Sequence, residues 1–140
     1  MTYDEFVTGQ FIPKVLGLLT GLKNNLVIAG VKASSITVEE VTDDESVPDL
    51  RYRITGTRGN KTFTAYIELT AGPIVDGAMT IIITLWVDGN GGQITTSYTS
   101  NQPVKYDDAV ALESLLTKLT ELDNISKGEL LTALRAFLGV

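Results

Sequence analysis

The sequence predicts a two-layer α+β fold, with an N-terminal helix, a five-stranded antiparallel meander sheet and a C-terminal helical hairpin. Apolar residues recur at helical spacing up to about Ala29, alternate with polar residues from Ser34 to Thr99, and return to helical spacing after Pro103. The alternating stretches are joined mostly by short segments rich in Gly, Asp and Asn, which suit hairpins between antiparallel neighbours rather than parallel crossovers. The stretch from Ala78 to Val87 is apolar on both faces, which implies that something covers or binds its second face, and as the fourth of five meander strands it is expected inside the sheet.

The first helix opens on Thr2-Tyr-Asp-Glu5, a capping-box pattern. Phe6, Val15, Leu16, Leu19, Leu22 and Leu26 then recur at helical spacing. Pro13 removes an amide, so a short first turn is expected, followed by a main helix from about Ile12 that ends before Gly30. The β-branched content of Leu26-Val-Ile-Ala29 leaves a short strand there as the alternative.

Five strands follow. Ile36 and Val38 alternate with Thr37 and Glu39, and Leu50, Tyr52 and Ile54 with Arg51, Arg53 and Thr55. Phe63, Ala65, Ile67 and Leu69 alternate with Thr62, Thr64, Tyr66 and Glu68. The double-sided strand comes fourth, and Ile94, Thr96 and Tyr98 mark the fifth. Asp43 to Asp49, Arg58 to Lys61 and Asp88 to Gly92 supply turn chemistry, while Ala71 to Gly77 is a longer loop.

Beyond Pro103, Asp107 or Asp108 is the candidate N-cap for a helix carrying Leu112, Leu115, Leu116, Leu119 and Leu122 on one side. Glu113, Lys118 and Glu121 fall on the other. A break at Asp123-Asn124 and a second capping-box pattern, Ser126-Lys-Gly-Glu129, predict a hairpin into a last helix with Leu130, Leu131, Leu134, Phe137 and Leu138. No repeat, low-complexity tract or linker divides the 140 residues, and residues 1–140 are expected to form one α+β domain.

Composition narrows the chemistry. The chain has no Cys and no His, which removes thiolate chemistry, the usual transition-metal ligands and the general base closest to neutrality. Its acids, lysines and serines show no catalytic pattern, so the expectation is a protein that is not an enzyme and needs no cofactor or metal. Asp88-Gly-Asn-Gly-Gly92 begins like a calcium loop but places Gly92 and Gln93 where an oxygen ligand and the turn glycine belong. The formal charge of −6 argues against a nucleic-acid partner. Asp4 and Glu5 depart from a signal peptide, and Lys14, Lys23, Asn24 and Asn25 interrupt the apolar stretch from Phe11 to Ala29. A cytoplasmic protein without membrane contact is therefore expected.

The second face of the sheet carries the functional expectation. With Met79, Ile81, Ile83, Leu85 and Val87 turned to the helices, Ile82 and Trp86 point the other way into a Thr-rich field. Trp86, Ile82, Tyr66, Thr64, Thr84 and Arg53 are the candidate interface residues, since an aromatic pair offers rigid contact area at low entropic cost. They suggest a non-catalytic protein-interaction module, chaperone-like or accessory, acting through that face on a protein partner or on itself as a homodimer. The competing reading of Trp86 is ordinary core beneath the C-terminal hairpin or the Ala71 to Gly77 loop. A small hydrophobic-ligand carrier, with a cavity between Phe63, Ile81, Leu85 and the C-terminal leucines, is the alternative function.

Charge is also blocked along the chain. Residues 31–49 carry one Lys against six carboxylates, and residues 50–70 carry four basic residues against Glu68. Pairing of Glu39 with Arg51 or Arg53 across a hairpin is the local explanation.

Overall fold

The computed structural model describes residues 3–41, 49–71, 78–92, 94–105 and 109–140, with side chains described throughout except at 3, 40, 41, 49, 78, 79, 91, 100–105 and 109–111. The expected capping box at Thr2, the N-cap at Asp107 or Asp108, and most of the Asp43 to Asp49 and Ala71 to Gly77 connections lie outside the described residues. The element order is α1 (Tyr3–Phe6), a π-helical turn (Val7–Phe11), α2 (Ile12–Ile28), β1 (Lys32–Ala33), β2 (Thr37–Val41), β3 (Asp49–Arg58), β4 (Lys61–Ala71), β5 (Ala78–Gly89), β6 (Thr95–Lys105), α3 (Ala109–Lys127) and α4 (Glu129–Leu138). The strands form an antiparallel sheet in the order β1-β3-β4-β5-β6, with β2 also on β3, so the first meander strand is split in two along one edge.

Pro13 does not break the N-terminal helix. The turn before it widens, and the Ile12 N–H donates to the Val7 carbonyl, five residues back. A widened turn lets the chain enter α2 with Pro13 in its first turn, where a missing N–H costs little. Helix α2 runs to Ile28, so Leu26 to Ile28 is helix and not strand. It stops in a Schellman motif: Gly30 takes φ 94°, its N–H donates to Val27, and the Val31 N–H donates to Leu26. Val31 and Leu26 are both buried, which supplies the hydrophobic contact of that motif.

The sheet buries one face. Along β4 the alternation holds for the whole strand: Phe63, Ala65, Ile67, Leu69 and Ala71 are buried and the residues between them are not. Ile81, Ile83, Leu85 and Val87 of β5 have no accessible surface and lie in register with Ala71, Leu69, Ile67 and Ala65. Each buried Ile or Leu contributes roughly 1.5–3 kcal/mol. The helices cover this side, α2 against β1 and β3 and beside α3, α3 over β6, and α4 against β4. Their buried residues, including Phe11, Leu19, Leu26, Leu112, Leu119 and Leu134, join the strand residues in one core. Leu16 and Val38 match the apolar pattern but are 37% and 54% exposed, because the helix layer does not reach around that side of α2 or out to the edge strand.

The C-terminal helix pair is a bent helix whose junction differs from the expected one. Helix α3 continues through Asp123-Asn124 to Lys127, and the bend falls at Gly128, with φ −106° and ψ −105°. The Gly128 N–H still donates to Asn124 and the Thr132 N–H to Gly128, so the bonding ladder passes through the bend. Ser126 is not a cap. It is buried inside α3, where its hydroxyl donates to the Asp123 carbonyl at 2.7 Å. Beyond α4, Gly139 takes a left-handed φ of 74°, and Arg58 Nη1 donates to the Leu138 carbonyl at 2.7 Å, fastening the helix end to the β3–β4 turn.

Strand β6 extends past Pro103 to Lys105, which an edge strand tolerates because a missing N–H need not interrupt a ladder there. Gly56 sets the other close approach. A Cβ at Gly56 would lie 2.2 Å from the ring of its register partner Phe63. Since Phe63 is buried, Gly56→Ala is expected to lower stability by about 1–3 kcal/mol in a denaturant titration. Phe63→Leu, costly alone, should recover part of that loss in the double variant, and strict additivity would refute the steric account.

Candidate interaction surface

The alternation that buries Ile67 and Leu85 turns Tyr66 and Trp86 to the opposite side of the sheet. Register arranges that side in rows. Thr37, Arg53, Tyr66, Trp86 and Ser97 form one, and Glu39, Arg51, Glu68, Thr84 and Thr99 the next. Thr55, Thr64, Asp88 and Thr95 flank them on one side, and Thr70, Ile82 and Asn101 on the other. All six candidate residues, Trp86, Ile82, Tyr66, Thr64, Thr84 and Arg53, lie on this face, and every one is half-buried and outside the core. No described helix lies over them, since the buried faces of the helices meet the other side.

Tyr66 and Trp86 stack directly across strands, with ring centroids 4.8 Å apart and planes at 32°. The Arg51 guanidinium sits over the Tyr66 ring at 4.6 Å. A cation and two rings thus make a ladder spanning β3, β4 and β5, in which the ring contact contributes about 0.5–1.5 kcal/mol beyond area burial and the cation–π contact about 0.5–1 kcal/mol. Ile82 is not part of it. It sits two rows from Trp86 on the same strand, about 13 Å away at the usual strand rise, with Thr84 between.

Carboxylates hold the cation in place. Arg51 Nε donates to Glu68 Oε2 at 2.8 Å and Nη2 bonds the same oxygen, while Thr70 donates to Glu68 Oε1 at 3.2 Å. Glu39 approaches Arg53 at 2.8 Å and Arg51 at 3.7 Å. The opposed charge blocks of the sequence therefore meet across strands. The hydrogen bond to Glu68 raises the Arg51 pKa above its ordinary value against an opposing desolvation, with the nearby charges of Glu68, Tyr66 and Glu39 adding to the rise.

Arg51 and Glu68 were absent from the candidate interface residues. The signal was present, because a β3–β4 hairpin turning at Gly59-Asn60 sets Arg51 opposite Glu68. The Asp88 to Gly92 segment serves the frame instead. Asn90 Oδ1 accepts from the Thr62 N–H at 3.1 Å and its Nδ2 donates to the Asn60 carbonyl at 3.0 Å, tying one hairpin end to the next.

The cavity expected between sheet and helices finds no room against Ile81 and Leu85, which have no accessible surface at all. A surface groove of about 370 Å³ lies between α2 and α3, bordered by Lys14, Gly17, Leu119 and the Asp123–Lys127 ion pair. Among the described residues no three acidic side chains come together as a metal site, and no described helix is long and apolar enough to cross a membrane. Comparison with known protein families, curated proteins and solved structures returned no match.

The raised pKa of Arg51 fixes a sign. Its stabilising contribution is fully present below the ordinary Arg value and is lost only as pH rises through a still higher one. The stability difference between the wild type and Arg51→Gln is therefore expected to stay constant from neutral pH to about pH 9, and to remain at about 1 kcal/mol for a half-buried pair that solvent still screens. Denaturant titrations at several pH values check this, and a difference that changes across the range would contradict it.

Proposed function

We propose that the protein is a non-catalytic interaction module, chaperone-like or accessory, that acts in the cytoplasm through the open face of its sheet and does so as a homo-oligomer. One observation carries the reading: the Arg51–Tyr66–Trp86 ladder stands half-buried at the centre of a face that no described helix covers. An antiparallel sheet with one wet face needs only polar residues there. Here the wet face holds a tryptophan whose orientation is set by a stacked neighbour, itself set by a cation and two carboxylates. Such fixed aromatic and Arg groups are the residue types that dominate protein interfaces, because little entropy remains to be lost when a partner arrives.

The absence of His and Cys supports the non-catalytic part of the reading by removing the commonest acid–base and nucleophilic groups. Thr64, Thr84 and Arg53 surround the ladder with hydrogen-bonding groups suited to the rim of a contact.

Affinity capture from the native host with the full chain as bait tests the reading. Trp86→Ser is expected to reduce the captured partner at least about tenfold, the loss typical of an interface aromatic, while circular dichroism stays unchanged. Ile82→Thr should have the smaller effect, given its distance from the ladder. Unfolding of Trp86→Ser would make the residue part of the core, and undiminished capture would remove the face from the contact.

A further inference from the structure

The two edges of the sheet are built differently. On one side β1 and β2 are short, interrupted, and marked by Glu39 and Glu40, the usual means of discouraging strand addition. On the other side β6 runs eleven residues, and between Thr95 and Val104 it carries no charge.

Register shows which backbone groups β6 presents outward. The Gly89 N–H donates to the Ile94 carbonyl, and these two residues continue the pairing of Asp88 with Thr95. Ile94 is therefore a hydrogen-bonded pair position, and by alternation so are Thr96, Tyr98 and Ser100. The N–H and C=O groups of Thr95, Ser97, Thr99 and Asn101 point away from β5. Thr95, Ser97 and Thr99 are exposed, and among the described residues no hydrogen bond reaches their outward groups. The next outward position is Pro103, which has no N–H, so the outward ladder is bounded at Thr95 and Asn101 and centred on Tyr98.

From this geometry we propose that β6 pairs antiparallel with β6 of a second copy about a twofold axis at Tyr98. Ser97 then faces Thr99 of the other copy and Thr95 faces its Asn101, about eight new backbone hydrogen bonds in all. A strand that pairs with itself sets its own charges against themselves, and this one has none to set. The product is a continuous antiparallel sheet whose two open faces lie side by side. The proposal deepens the homo-oligomeric part of the function above without requiring the open face to be the contact between copies.

Sedimentation equilibrium of the purified full chain tests it. The wild type is expected to be a dimer. Thr99→Pro removes an outward N–H while leaving the bonds to β5 intact, and is expected to weaken the dimer at least about tenfold, since each dimer loses two such bonds. Ser97→Lys, which alters no backbone group, should weaken the dimer by a smaller factor that shrinks with added salt, because the two lysines stand diagonally across the axis. Trp86→Ser should remain a dimer. A monomeric wild type, a species larger than a dimer, or a dimer that survives both edge variants would overturn the proposal. Loss of the dimer in Trp86→Ser alone would overturn it too, placing the contact on the face.

Discussion

One-sided burial of the sheet is the constraint on which the rest depends. Strands β3, β4 and β5 place an unbroken apolar layer, from Tyr52 and Ile54 through Ile67 and Leu69 to Ile83 and Leu85, beneath the helices. Because side chains alternate with a period of two, fixing that layer fixes every side chain on the reverse. A slip of one residue in any pairing would drive Tyr66, Glu68 or Arg51 into the core, so the burial energy also enforces the ladder on the open face. The candidate site is thus held by the hydrophobic core on the far side of the same strands.

Most of the architecture was legible because it rests on periodicity. That Arg53, Tyr66 and Trp86 share one face follows from alternation alone, whereas the pairs Thr37 with Arg53 and Tyr66 with Trp86 join strands whose connections are too long to set a register from the sequence. What was not legible depends on packing between elements. Ser126 has the pattern of a cap but sits in a helix interior, because burial keeps the chain helical as far as Gly128. Leu16 and Val38 carry the right pattern and face solvent, since a pattern cannot show where a covering layer ends. Pro13 signals a break, yet the chain absorbs it by widening one turn. Glu68, by contrast, is legible across the two-residue β3–β4 turn, which sets it opposite Arg51, though not from its own strand.

Functionally, the open face and the β6 edge offer different things. The face presents a tryptophan held by a stack and a charge network, suited to a side-chain contact with a partner. The edge presents uncharged backbone suited to a strand. They adjoin through Ser97, which pairs with Trp86 in register and lies at the outward ladder of β6. Assembly along the edge would therefore enlarge the face without covering it.

Trp86 is the only tryptophan in the chain, so its fluorescence reports on the open face alone. The most direct measurement is quenching of that fluorescence by acrylamide, in the isolated protein and in its complex with the captured partner. The account predicts ready quenching in the isolated protein and clear protection in the complex. Protection already in the isolated protein, or equal quenching in both, would contradict the claim that this face is where the protein binds.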